Sequence, residues 1–173
     1  MQVGGIVDGK TSFAPISAGK QIMARPSFIN LWRAYSDLLD TYPDAKPCDG
    51  PWANQCAIRM SMTLNAELTI KVNKSTYTEP KCKHEHARGA ESLANWLWKH
   101  HLGRPLILGG SATERLKLQD KTGLIFFKDC FTQPNEDLDR RSGDHIDLWN
   151  RGRTTGYSDG NYMSRQVWFW ELT

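Results

Sequence analysis

Asn54-Gln55-Cys56-Ala57-Ile58-Arg59-Met60-Ser61-Met62-Thr63-Leu64-Asn65, with Gly143-Asp144-His145-Ile146-Asp147-Leu148-Trp149-Asn150 far downstream, decides how this chain is read. A cysteine that opens an apolar, helix-forming run (Ile58, Met60, Met62, Leu64, Ala66) carries its sulfur at a helix N-terminus. Unpaired amides and the positive end of the helix dipole favour thiolate there. His145 sits where ring, apolar, acid and apolar residues alternate, the pattern of a half-buried strand. A helix-borne sulfur facing a strand-borne imidazole is a nucleophile with its base. Asn54 and Gln55, just ahead of the sulfur, carry amides able to donate to an oxyanion.

A third group is needed to accept from the other ring nitrogen. Asp144 would point to the opposite strand face, and Asp147 would share the histidine's face but lie two residues along, an awkward place from which to orient it. Asp159 is better placed, because Asn150-Arg151-Gly152-Arg153 and Gly156 allow the chain to reverse beside His145. Each feature also has a plainer reading. A lone cysteine is usually a small buried hydrophobe, and a strand histidine is often only a polar edge residue.

Working outward, Ser27 precedes a helical stripe of Phe28, Leu31, Trp32, Tyr35, Leu38 and Leu39 that must stop before Pro43. Pro43, Pro47, Gly50 and Pro51 mark a turn-rich loop leading to Cys56, whose helix is predicted to run to about Leu68. Thr69 to Cys82 reads as a strand or an extended loop. Leu93, Trp96, Leu97 and His100 form another amphipathic helix, ended by Gly103 and Pro105, that covers one sheet face. Strands are predicted at Leu124–Phe127, His145–Trp149 and Val167–Leu172. Helices come first and strands later, which predicts an α+β domain with an antiparallel sheet. Residues 1–173 are read as a single domain, with residues 1–25, rich in glycine, as an irregular arm.

Composition narrows the function classes. With 22 Lys and Arg against 19 Asp and Glu, the net charge is only +3, and no basic run with interleaved aromatics appears. Nucleic-acid binding normally draws a stronger bias. No stretch is apolar enough to span a bilayer, so no membrane insertion is expected, and no Sec-type signal is recognisable. Cys82-Lys83-His84-Glu85-His86 could clip a zinc ion together with Cys130, but a single cluster reads better as a solvated loop. No metal or organic cofactor is expected. At most one disulfide could form among Cys48, Cys82 and Cys130.

The block N-Q-C-A-I-R-M-S-M-T-L-N at Asn54–Asn65 and the block G-D-H-I-D-L-W-N at Gly143–Asn150 closely resemble the type VI secretion amidase effectors of the fourth family. More loosely, the resemblance extends over residues 26–173, through Arg25-Pro26-Ser27-Phe28, Gly123-Leu124-Ile125 and Trp168-Phe169-Trp170. It implies a papain-like NlpC/P60 fold, the nucleophile helix packed on the antiparallel sheet. It implies hydrolysis of the γ-D-glutamyl–meso-diaminopimelate bond of peptidoglycan stem peptides in the periplasm of a recipient bacterium. The resemblance also implies delivery by a type VI secretion apparatus and a cognate immunity protein. It carries over Cys56 as nucleophile and His145 as base, and Asp159 as the acid with a few residues inserted after Asn150. A housekeeping wall hydrolase and a non-catalytic binding module are the competing readings.

Overall fold

Phe28, Leu31, Tyr35 and Leu38 recur at helical spacing and form the buried stripe of α1 (Phe28–Thr41) in the computed structural model, which describes residues 24–155 and 164–173. Ser27 occupies the N-cap, but its hydroxyl does not cap the helix. Instead its main-chain N–H donates to Glu67 Oε1 at 3.0 Å, tying α1 to the end of the next helix. The first turn is also joined to the C-terminus, by Phe28 N–H donating to Thr173 O at 2.9 Å. Arg25, placed by the sequence in an irregular arm, donates to Leu102 O at 3.0 Å. Residues 1–23 of that arm lie outside the described residues.

The second helix, α2 (Cys56–Glu67), ends at Leu68, which takes a left-handed conformation with φ 83°. Cys56 to Ser61, Thr63 and Leu64 are all buried, so α2 is a central helix rather than a surface one. Its interior hydroxyls are satisfied locally: Ser61 donates to Ala57 O at 2.7 Å and Thr63 to Arg59 O at 2.9 Å. Residues 69–82 contain no named strand. There the Asn65 amide substitutes for a strand partner, accepting from Val72 N–H at 2.7 Å and donating to Val72 O at 3.0 Å. α3 (Ala90–Leu97) continues into a π-helical turn, Trp98–Leu102, and stops at Gly103, whose φ of 71° suits glycine.

Among the described residues four antiparallel strands follow: β1 (Leu106–Gly109), β2 (Thr122–Phe131), β3 (Gly143–Asn150) and β4 (Gln166–Glu171), in the order β1-β4-β2-β3. The last three fall where the sequence predicts strands, and β1 is additional. Leu124, Phe126, Ile146, Leu148, Trp168 and Trp170 pack with the helices on one face. Ile125, Phe127, Trp149, Val167 and Phe169 form a second cluster, closed by Leu118 from a short 3-10 turn. The arrangement is α+β, and β3 is an edge strand that α2 and α3 both contact. No helix among the described residues is long and apolar enough to cross a membrane.

Leu148 is fully buried where the sheet meets the helices. Leu148→Ala should lower stability by about 2–5 kcal/mol, through lost transfer free energy and the cavity left behind. Urea denaturation checks this: the midpoint should fall with an unchanged slope.

Candidate active site

Cys56 is the first residue of α2, so its sulfur sits at the helix N-terminus among amides without intrahelical partners. The side chains of Cys56 and His145 are hydrogen-bonded, and each is only 3 % exposed. Edge position makes this possible, since among the described residues β3 has no strand beyond it and its main-chain amide at Ile146 donates to the sulfur. Sulfur, ring and strand backbone therefore converge at one corner of the sheet.

Burial by itself would push the Cys56 thiol up, because a thiolate loses hydration there. The His145 charge and hydrogen bond, then the Ile146 amide and the Arg59 charge, outweigh it and hold the thiol below its ordinary range. Burial likewise pulls the imidazole down. The Cys56 charge, followed by the hydrogen bond to Asp147, overcomes that and raises His145 to about 9. Both shifts favour a thiolate–imidazolium pair at neutral pH. Cys130 differs, because burial and then the Asp144 charge push its thiol well up and leave it protonated.

Among the described residues, Asp147 is the carboxylate that meets the ring: His145 Nε2 lies 3.2 Å from Asp147 Oδ2. Facing Ile125 and Phe127 across β2, the two side chains share one strand face. Asp147 is itself fixed, accepting from its neighbour Leu148 N–H at 2.7 Å and from the Thr155 hydroxyl at 2.9 Å. With Asp147 on Nε2, Nδ1 remains for the sulfur. Asp159, the acid favoured by sequence, lies outside the described residues. Asp144 faces elsewhere and accepts from Asp129 N–H at 2.8 Å, its carboxyl raised to about 6 by burial.

The two residues expected to supply oxyanion donors are otherwise engaged. Gln55 is 1 % exposed and turns inward, where Oε1 accepts from Cys48 N–H at 2.9 Å and Nε2 donates to Cys48 O at 2.5 Å. It braces the preceding loop and has no donor left for a substrate. Asn54 is exposed and uses its oxygen, accepting from Cys56 N–H at 3.1 Å. Behind the site, Arg59 donates to Tyr35 OH at 3.0 Å and to Ala45 O at 2.7 Å. Tyr35 also bonds Thr155, so a polar chain runs from Arg59 through Tyr35 and Thr155 to Asp147. The sequence offered no signal for it, since Tyr35 reads as one more core aromatic on α1. The zinc ligand set considered from sequence is corrected too: Cys130 lies on β2 by Asp144, and Cys48 rather than Cys130 joins Cys82 and His84.

A model of the family "type VI secretion system, amidase effector protein 4" matches residues 52–170. Among solved structures, the effector Tae4 from Enterobacter cloacae superposes with a TM-score of 0.63 at 18% identity, over 87% of this chain and 99% of that one. The Tae4 / Tai4 effector–immunity system from Salmonella typhimurium gives a TM-score of 0.62 at 20% identity, over 87% and 100%. The Tae4–Tai4 complex from Enterobacter cloacae gives 0.60 at 19%, over 87% and 100%. A search of the curated proteins finds no match.

Nuclear magnetic resonance titration of the histidines checks the electrostatics. The His145 ring should titrate near 9 in the native chain, and its pKa should fall in Cys56→Ser, which removes the largest influence raising it. An unchanged titration would show that the ring does not face the sulfur.

Proposed function

Because the chain belongs to the type VI secretion amidase effector protein 4 family, we propose that it is a cysteine amidase cutting between γ-D-glutamate and meso-diaminopimelate in peptidoglycan stem peptides. The observation that carries this reading is the buried succession of sulfur, imidazole and carboxylate at Cys56, His145 and Asp147. The helix-borne sulfur and strand-borne ring support a papain-like domain of the NlpC/P60 kind, which we take to span residues 1–173. It is delivered by the type VI apparatus of one bacterium and acts in the periplasm of another. A cognate immunity protein that covers the mouth of the site completes the reading, as the Salmonella typhimurium and Enterobacter cloacae effectors are solved in complex with Tai4.

The Cys56 thiolate attacks the carbonyl carbon of the γ-glutamyl amide, and a tetrahedral oxyanion forms at the N-terminus of α2. Exposed Asn54 swings aside and gives up the Cys56 N–H to that oxygen. The His145 imidazolium then passes its proton to the leaving amine of diaminopimelate, and the C–N bond breaks to leave a thioester on Cys56. Neutral His145 next takes a proton from water, whose oxygen attacks the thioester. The γ-carboxylate leaves and the thiolate returns. Throughout, Asp147 holds Nε2 so that Nδ1 stays on the sulfur.

Digestion of purified sacculi followed by mass spectrometry tests this. Native protein should release fragments with a new diaminopimelate amine, and Cys56→Ala and His145→Ala should each abolish turnover with the fold retained. A binding module would show no cleavage by the native protein, and activity surviving in either variant would refute the assignment. Asp147→Asn should retain the fold but lose about 10²–10⁴-fold in kcat by misorienting the ring. The rate should also be bell-shaped in pH. It falls on the acid side as the thiolate protonates, and near 9 on the alkaline side as His145 loses the proton the leaving amine requires.

A further inference from the structure

We propose that Cys48, Cys82 and His84 form a binding site for a zinc-class divalent ion, which pins the loop leading to Cys56 against the turn at residues 80–88. One sulfur of Cys48, one of Cys82 and one ring nitrogen of His84 all lie within 4.8 Å of one another. Donors around a tetrahedral zinc stand about 3.3–3.8 Å apart, given bonds near 2.3 Å to sulfur and 2.0 Å to nitrogen. Small shifts of three side chains would close the site. The two thiols are close enough that Cys82 disfavours ionisation of Cys48. His86 Nδ1 lies 3.8 Å from Cys82 Sγ but outside this group of three, so solvent on the His84 side would supply the fourth donor.

The backbone holds these donors together without a metal. Cys82 N–H donates to His86 O and Glu85 N–H to Cys82 O, both at 2.9 Å, and Lys81 bridges Ala87. That tight turn is anchored on α2, where Ala87 N–H donates to Ser61 Oγ at 3.0 Å. Across the gap, Lys83 Nζ meets Asp49 Oδ2 at 2.6 Å, so neighbours of both cysteines are also paired. Cys48 and Cys82 are buried beside Ile58, whereas His84 is exposed, which leaves an approach for the ion from solvent. Binding would displace one proton from each thiol to solvent as the metal–thiolate bonds form.

The site sits seven residues before Gln55, whose side chain grips the Cys48 main chain at both N–H and C=O. The ion would therefore stiffen the segment that positions the nucleophile. It would take no part in the chemistry, since its donors are distinct from Cys56, His145 and Asp147.

Cobalt(II) titration of reduced, untagged full-length Cys56→Ala protein tests the site, with zinc content of the purified protein measured in parallel. One zinc per chain is expected, together with the thiolate charge-transfer and visible bands of a tetrahedral cobalt ion. Cys48→Ser and His84→Ala should each weaken cobalt binding by more than about 100-fold, beyond the usual cost of losing an outer-sphere partner. Cys130→Ser should bind like its parent. His84 is exposed, so its variant remains informative even if Cys48→Ser fails to fold. Absence of zinc and of the cobalt bands would overturn the proposal, as would bands unchanged in His84→Ala. A Cys48–Cys82 disulfide in non-reducing peptide maps of the protein recovered from a periplasm would also overturn it.

Discussion

A thiolate in a site only 3 % exposed is tolerated because three groups around Cys56 offset the lost hydration. His145 supplies charge and a hydrogen bond, Ile146 a main-chain amide, and Arg59 a second positive charge. Each comes from a different structural decision. The ring and the amide need β3 to be the outermost strand, Arg59 needs the first turn of α2 to be buried, and the helix must begin at the sulfur itself. Without them, burial pushes the proton back onto sulfur. The corner where α2 meets β3 thus constrains the order of strands as much as the identity of the residues.

The elements around that corner were legible because their patterns are local. The stripe on α1, the apolar run after Cys56 and the alternation around His145 each survive in the folded chain at nearly the predicted bounds. β1 was not legible, since Leu106 to Gly109 is only four residues long and mostly exposed, and its partner strand lies near the other end of the chain. Asp147 was underrated for a geometric reason. Side chains two apart on a strand point the same way but start nearly 7 Å apart, and only the reach of an imidazole leaning along the strand brings Nε2 to 3.2 Å from the carboxylate. Asp159, reasoned from a chain reversal, lies among the residues not described.

Gln55 shows the opposite failure. Adjacency to the nucleophile suggested that its amide would face a substrate, yet the loop from Tyr42 folds back so that Cys48 meets it from inside. Which way a side chain turns at a helix start depends on what the preceding loop leaves unpaired. Cys48 brought two backbone groups to a buried place, and an amide with one donor side and one acceptor side satisfies both. Trp52 completes the packing by lying over Gly50, where a Cβ would come within 1.8 Å of its ring. The same loop carries Cys48 to Cys82, so the brace behind the nucleophile and the thiol pair are consequences of one conformation.

The buried guanidinium of Arg59 has a bearing on where this protein can be cut. Its acceptors Tyr35 and Ala45 both precede residue 52, where the match to the family model starts. A fragment trimmed to that likeness would keep every group that touches the sulfur. It would nonetheless strip Arg59 of two hydrogen-bond partners and uncover the apolar face of α2 that α1 buries. The bounds of the sequence match and the bounds of physical self-sufficiency do not coincide here.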